Sequence, residues 1–254
     1  MNHESRTMNT DFRSTLKPLM LDFYASPMSG DEIEVKSLRT IDQEAPPHQF
    51  SAAEWQVVRR MIHTTADFSL MNNTHFSTDS IDAGINAMRT GCPLYVDSNM
   101  IRSGLSIARL RSVCPDYEKE NIVCYVADGE VARAALTTGL PRSIFAVRKA
   151  KPMLDGAVVL FGNAPIGLLE LNRMIIEEGI RPALVVAMPV GFVHVVESKQ
   201  ELMSLGIPYI AISGRRGGST LAVSVIHAIC SLALSQKKEN QNGYFESKST
   251  IGNT

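Results

Sequence analysis

The sequence predicts an α/β protein built on a three-layer, mostly parallel, doubly wound sheet. Short β-rich runs alternate with helical patterns through the middle of the chain. Several of those runs are continuously apolar, as strands covered on both faces are. Glycine-bearing segments at 162–167, 189–191 and 214–218 each follow a predicted strand. That places all three at the carboxyl rim, where such sheets take ligands.

In chain order, residues 1–25 lack clear periodicity and read as a flexible leader, and 26–235 read as a single domain. Helical patterns cover Asp31–Glu44, Ala52–Ile62 and Thr78–Thr90. A strand at Pro93–Val96 and another at Ile122–Ala127 precede a helix at Glu130–Thr138. Strands at Ala157–Phe161, Ala183–Ala187 and Pro208–Ile212 then alternate with helices at Pro165–Glu178, Val195–Leu205 and Gly218–Ser235. Within the last helix, Leu221–Leu234 is nearly apolar all round and predicts a fully buried helix, with a dimer interface as one place for it. Residues 236–254 are rich in Lys, Asn, Ser and Gly and read as a disordered tail.

Composition narrows the function classes. Among 254 residues, 44% are hydrophobic, enough for a substantial core. Lys and Arg total 25 against 26 Asp and Glu, with no basic block, so the electrostatic footprint of a nucleic-acid binder is missing. An acidic ligand needs only a local arginine cluster. Cys92, Cys114, Cys124 and Cys230 form no C-x-x-C pair, which argues against a zinc or redox motif. The polar start has no signal peptide, and Leu221–Leu234 is shorter than the ~20 residues of a membrane span. The expectation is a soluble cytoplasmic protein with reduced thiols, and no membrane or metal partner.

Few residues carry chemistry. Ser51 to Glu54 spell a capping box, with Phe50 and Trp55 placed as a hydrophobic staple, so the helix before His63 is well specified. His63 falls at its carboxyl end. The helix dipole there favours the imidazolium, Arg60 one turn back opposes it, and histidine suits proton transfer near neutral pH. The alternative is a capping histidine without catalytic role. Arg60 reads either as a carboxylate clamp or as a solvated arginine. Arg215 and Arg216 beside Gly217-Gly218, with Ser219 opening a helix, have the chemistry of an anion site, or of a plain capped helix. Asn163, in the strand-to-helix turn Gly162–Pro165, either orients a ligand or caps the helix. Walker A and G-x-G-x-x-G patterns are absent, which argues against a nucleotide.

Together these segments resemble the precorrin-8X methylmutase (precorrin isomerase) family of cobalamin biosynthesis, in its aerobic and cobalt-dependent branches, over roughly Ile33 to Ala233. The matching pieces are Ile33-Glu34 with Ser37 and Glu44, Arg60-Met61-Ile62-His63, Phe76-Ser77, Ala87 with Gly91-Cys92-Pro93, and Gly162-Asn163-Ala164-Pro165. Met188 to Val193, Glu197-Ser198-Lys199 and Gly214 to Ser219 complete the order. The resemblance implies a flavodoxin-like fold, a homodimer with its active site near the subunit interface, and no external cofactor. It implies migration of a methyl group from C-11 to C-12 of a carboxylate-bearing tetrapyrrole. It aligns His63 with the family's proton donor/acceptor, Ser37 and Arg60 with substrate contacts, and Arg142-Ser143 with an Arg-Ser pair. Departures are His194 for a small residue, Asp97-Ser98-Asn99-Met100 for a more acidic segment, and a longer leader. A tetrapyrrole carrier on the same scaffold would share the arginines and glycines without needing His63.

Overall fold

The computed structural model describes residues 17–251, with side chains as far as Lys237. The chain divides at Glu44–Ala45 into two compact units. The first holds α1 (Met20–Ala25), within the segment read as leader, and α2 (Gly30–Glu44). Ser29 and Glu32 start α2 reciprocally: the Ser29 N–H donates to the Glu32 carboxylate at 2.7 Å, and the Glu32 N–H donates to the Ser29 hydroxyl at 3.2 Å.

The second unit opens with α3 (Ala52–Thr65), a 3-10 turn at Phe68–Asn72, β1 (Thr74–Phe76), α4 (Ser80–Arg89), β2 (Leu94–Val96), α5 (Asn99–Gly104) and α6 (Ile107–Val113). After β3 (Ile122–Val123) come α7 (Gly129–Thr138), α8 (Arg142–Leu154), β4 (Val158–Phe161), α9 (Pro165–Glu178), β5 (Leu184–Ala187), α10 (Val195–Met203), β6 (Tyr209–Ile212) and α11 (Ser219–Ile251). The strands lie in the order β1-β6-β5-β4-β2-β3. β2 to β6 are parallel, and β1 joins β6 antiparallel with Thr74 opposite Ile212. Counting the parallel strands alone, their order is 2-1-3-4-5, the flavodoxin-like winding.

Strand residues alternate between two cores. Leu94, Val96, Val158, Leu160, Leu184 and Val186 face a layer of α3, α4, α5, α6 and α11. Tyr95, Val159, Phe161, Val185 and Ala187 face α8, α9 and α10. Covering on both sides is why these strands read as unbroken apolar runs.

Some expectations change. The predicted strand Ile122–Ala127 pairs only over Ile122–Val123. The helix predicted to end at Ser235 continues to Ile251, through the polar segment read as a disordered tail; its Lys, Glu and Gln residues favour helix, and no proline interrupts it. The stretch Ser219–Lys237 is in fact long and apolar enough to cross a membrane, but most of it is buried inside the protein, so the core accounts for its hydropathy. Nor is the apolar segment buried all round: Val223, His227 and Ser231 form a half-exposed stripe.

Candidate active site

The carboxyl rim is assembled around Asp97, the residue directly after β2 at the point where the winding reverses. Its side chain is 4% exposed. One carboxylate oxygen accepts the Gly162 N–H at 3.1 Å, and the other accepts those of Asn163 at 2.8 Å and Ala164 at 2.6 Å. These donors belong to the turn just before α9, with Ala164 as its N-cap, so a built-in carboxylate is seated in the strand-to-helix turn expected to meet a ligand. Burial pushes the Asp97 carboxyl above its ordinary range, against those three hydrogen bonds. Asn163 therefore contributes its backbone N–H to the protein, while its side chain is exposed at the rim.

The loop after β6 is equally committed. A Cβ on Gly217 would stand 2.2 Å from the Met188 carbonyl oxygen, and one on Gly162 would stand 2.6 Å from the Ser219 Cα. Glycine is needed there for backbone to meet backbone, not for backbone to meet ligand as the sequence suggests. The Gly218 N–H donates to the Met188 carbonyl at 2.7 Å. Ser219, expected to contact a ligand, is buried, and its hydroxyl shares a hydrogen bond with that of Ser98 at 3.0 Å. The Arg216 guanidinium pairs with the Asp67 carboxylate and the Ser69 hydroxyl. The Arg215 side chain is directed outward, with its guanidinium 5.4 Å from the centre of the exposed Phe192 ring.

His63 lies in the last turn of α3 and is half-buried. The capping box that starts this helix is present in both directions, Ser51 N–H to Glu54 at 2.8 Å and Glu54 N–H to Ser51 at 3.3 Å. Beside the expected staple His48 stacks on Trp55, with ring centres 4.2 Å apart, and lies 5.5 Å from Phe50. The helix closes at Ala66 in the left-handed conformation, φ 53°, whose N–H donates to Ile62. One residue on, Asp67 reaches Arg216, so the helix end bearing His63 is fastened to the arginine loop. Arg60 and Thr64 line a cleft of about 200 Å³ with Met100, Thr220 and His227. The His227 Nε2 accepts the Ser106 N–H at 3.1 Å. A larger cleft of about 550 Å³, lined by His48, His75 and Tyr209 among others, gathers none of the predicted site residues.

The structure thus brings Arg60, His63, Arg215, Arg216, Gly217, Gly218, Ser219 and Asn163 onto connected segments of one rim. Arg142 is exposed at the start of α8, beside the first turn of α9, since a Cβ on Gly167 would lie 3.2 Å from that of Ser143. Ser37 is half-buried on α2, in the first unit. Sequence reasoning gave no structural part to Asp67, Asp97 or Lys199. Lys199 had a readable signal: it falls within the stripe Val195, Ser198 and Leu202, all buried on α10.

Among the described residues no group of three or more His, Cys, Asp or Glu side chains is placed to hold a metal ion.

Fold and rim together define a doubly wound α/β protein whose polar groups gather where such sheets take ligands. The family model described as precorrin-8X methylmutase matches residues 32–232. A cobalt-precorrin-8 methylmutase of Leptospira interrogans is 44% identical over 82% of this chain and 96% of its own length. One from Priestia megaterium is 39% identical over 88% and 94%. A solved structure described as precorrin-8x methyl mutase from Thermus thermophilus superposes with a TM-score of 0.75 at 48% identity, over 82% of this chain and 98% of that one. The chain belongs to the precorrin-8X methylmutase family. It is an isomerase, a methylmutase of cobalamin biosynthesis.

Proposed function

We propose that this enzyme moves a methyl group from C-11 to C-12 of a precorrin-8 macrocycle, with His63 as the proton donor and acceptor. The observation that carries the reading is the Asp67–Arg216 pair. It fastens a histidine at a helix end to an arginine loop on the rim of a doubly wound sheet. A 1,5-sigmatropic shift breaks one carbon–carbon bond and forms another within the substrate. The protein then has to supply only a shaped surface and a proton at the ring. His63 lends that proton to the macrocycle and recovers it as the product forms. Arg215, exposed, takes a peripheral carboxylate, Arg60 holds the substrate beside His63, Arg142 and the Asn163 side chain contribute at the rim, and Ser37 is a further substrate contact.

The relatives at 44% and 39% identity carry the cobalt-precorrin-8 name, whereas one called precorrin-8X methylmutase, from Pseudomonas aeruginosa, is 32% identical. The solved Thermus thermophilus structure, named precorrin-8x methyl mutase, is 48% identical, so the names divide between two pigments: cobalt-precorrin-8 giving cobyrinate, and precorrin-8X giving hydrogenobyrinate. The enzyme works as a cytoplasmic homodimer in this reading, and a monomer in sedimentation at micromolar concentration would count against the dimer.

Absorbance spectra of wild type and His63→Ala, each mixed with cobalt-precorrin-8 and with precorrin-8X, test the reaction. Wild type converts the pigment, and the folded variant binds it but turns over at least about 100-fold more slowly. A near-wild-type rate in the variant removes His63 from the chemistry. Binding without conversion by either protein transfers the assignment to a tetrapyrrole carrier.

A further inference from the structure

Lys199 is wholly buried, and among the described residues no carboxylate pairs with it. Its ammonium donates instead to two main-chain carbonyls, Gly214 at 3.0 Å and Arg216 at 2.6 Å. The carbonyl between them, that of Arg215, accepts the Gly191 N–H at 3.3 Å. Three consecutive carbonyls of the arginine loop are therefore held by one short stretch of chain, residues 191–199. Two of the three depend on a single side chain.

A buried cation without a counter-ion is a costly way to fill a core position, and a leucine there would satisfy the stripe on α10. The ammonium does what no apolar side chain does. It brackets residue 215 from both sides and fixes the backbone from which Arg215 and Arg216 project. The two arginines then leave the loop in different directions, one over Phe192 and one to Asp67.

We propose that Lys199 is a positioning residue for substrate recognition, which sets the directions of Arg215 and Arg216 and touches no substrate itself. This rests on the reading above, in which the arginine loop meets the acidic macrocycle. Removing the ammonium leaves two carbonyls unpaired and the loop free to turn. The loss therefore falls on binding of the carboxylate-rich substrate, not on the methyl shift.

The test compares wild type with Lys199→Met in the full-length chain. Expected is a roughly tenfold rise in KM with kcat within about twofold, the signature of binding lost equally from ground and transition states. A purely structural lysine lowers the amount of folded enzyme and leaves KM unchanged, and that result overturns the proposal. If Lys199→Met does not fold, Lys199→Gln, which keeps amide donors, carries the same measurement. Limited trypsin digestion gives a readout that needs no substrate. The bonds after Arg215 and Arg216 are cut roughly fivefold faster in the variant than in wild type, other sites being unchanged. Equal cutting shows that the loop is not held by Lys199. If wild type converts neither pigment, the reaction assignment fails, and digestion still decides the clamp.

Discussion

The Asp67 carboxylate and the Arg216 guanidinium, 149 positions apart in the chain, are ion-paired across the rim. Arg216 thereby commits its charge to a surface ion pair within the chain. Its neighbour Arg215 is the one presented outward. Two adjacent arginines that look equivalent in the sequence divide into one tethered to Asp67 and one set beside the Phe192 ring.

This division predicts coupling. Asp67→Asn and Arg216→Ala each lower kcat/KM by about fivefold, and the double variant is no worse than either alone, because both remove one link. Losses that multiply in the double variant would show that Arg216 meets the substrate directly.

The same pair has a defined acid limit. Hydrogen bonds from Ser69 and then from Arg216 hold the Asp67 carboxyl down to about 2, from an ordinary value of 3.8. A lowered carboxylate contributes its stabilisation above the ordinary value and loses it as the pH falls through about 2. The acid limb of the wild-type pH–rate profile above pH 4 is consequently not set by this link. Asp67→Asn lowers the plateau and leaves the position of that limb unchanged.

Lys199 predicts a pH dependence of the same sign in the alkaline range. Burial pulls its ammonium from 10.5 to about 8. Between these values the unfolded chain binds more protons than the folded one, so this residue's contribution to stability rises with pH across that window. Full relief is on the order of 3 kcal/mol. Chemical denaturation of wild type and Lys199→Met at pH 7 and pH 10 isolates it: the stability difference moves in favour of wild type at the higher pH. A difference that stays constant would mean that the lysine is not held as a buried ammonium.

The arginine loop also contains a steric contrast. Gly217→Ala drives a methyl group to 2.2 Å from the Met188 carbonyl oxygen and costs at least about 3 kcal/mol. Gly214 has φ +71° with open space around it, so Gly214→Ala costs only about 1 kcal/mol, from the backbone. Similar thermal shifts for the two would contradict the close packing of this loop on the end of β5.

At the other end of the His63 helix, Ser51→Ala removes half of the capping box. It lowers stability by about 1 kcal/mol and the melting temperature by about 2–4 °C. Activity of the folded variant at 25 °C is unchanged, since the cap lies at the opposite end of α3 from His63.

The parallel strands are legible in the sequence because each is an apolar run ending in glycine, proline or a polar turn. β1 is not, since three residues, Thr74-His75-Phe76, are too few to show a period. α5 and α6 are missed for the same reason of length, and α8 because Pro152 in its last turn interrupts the pattern. In the site, segments are legible and partners are not. The sequence marks Gly162, Gly217 and Gly218 as special without showing that two of them serve backbone contacts between loops. It marks the turn before α9 as a place for Asn163 to orient a ligand or cap the helix, without showing that Asp97, 65 positions from Gly162, accepts the turn's N–H groups. Those facts are long-range, and nothing local encodes them.

The ends of the sheet bear on how copies of the protein meet. One outer strand, β1, pairs over three residues and the other, β3, over two. Neither offers a row of unpaired amides long enough to template a further strand, so joining sheets edge to edge is closed off as a route to assembly. Two chains that associate have to recognise each other through side chains carried on helices and loops. Their specificity then resides in residue identity, which selection tunes one position at a time, and not in main-chain bonding common to any sequence.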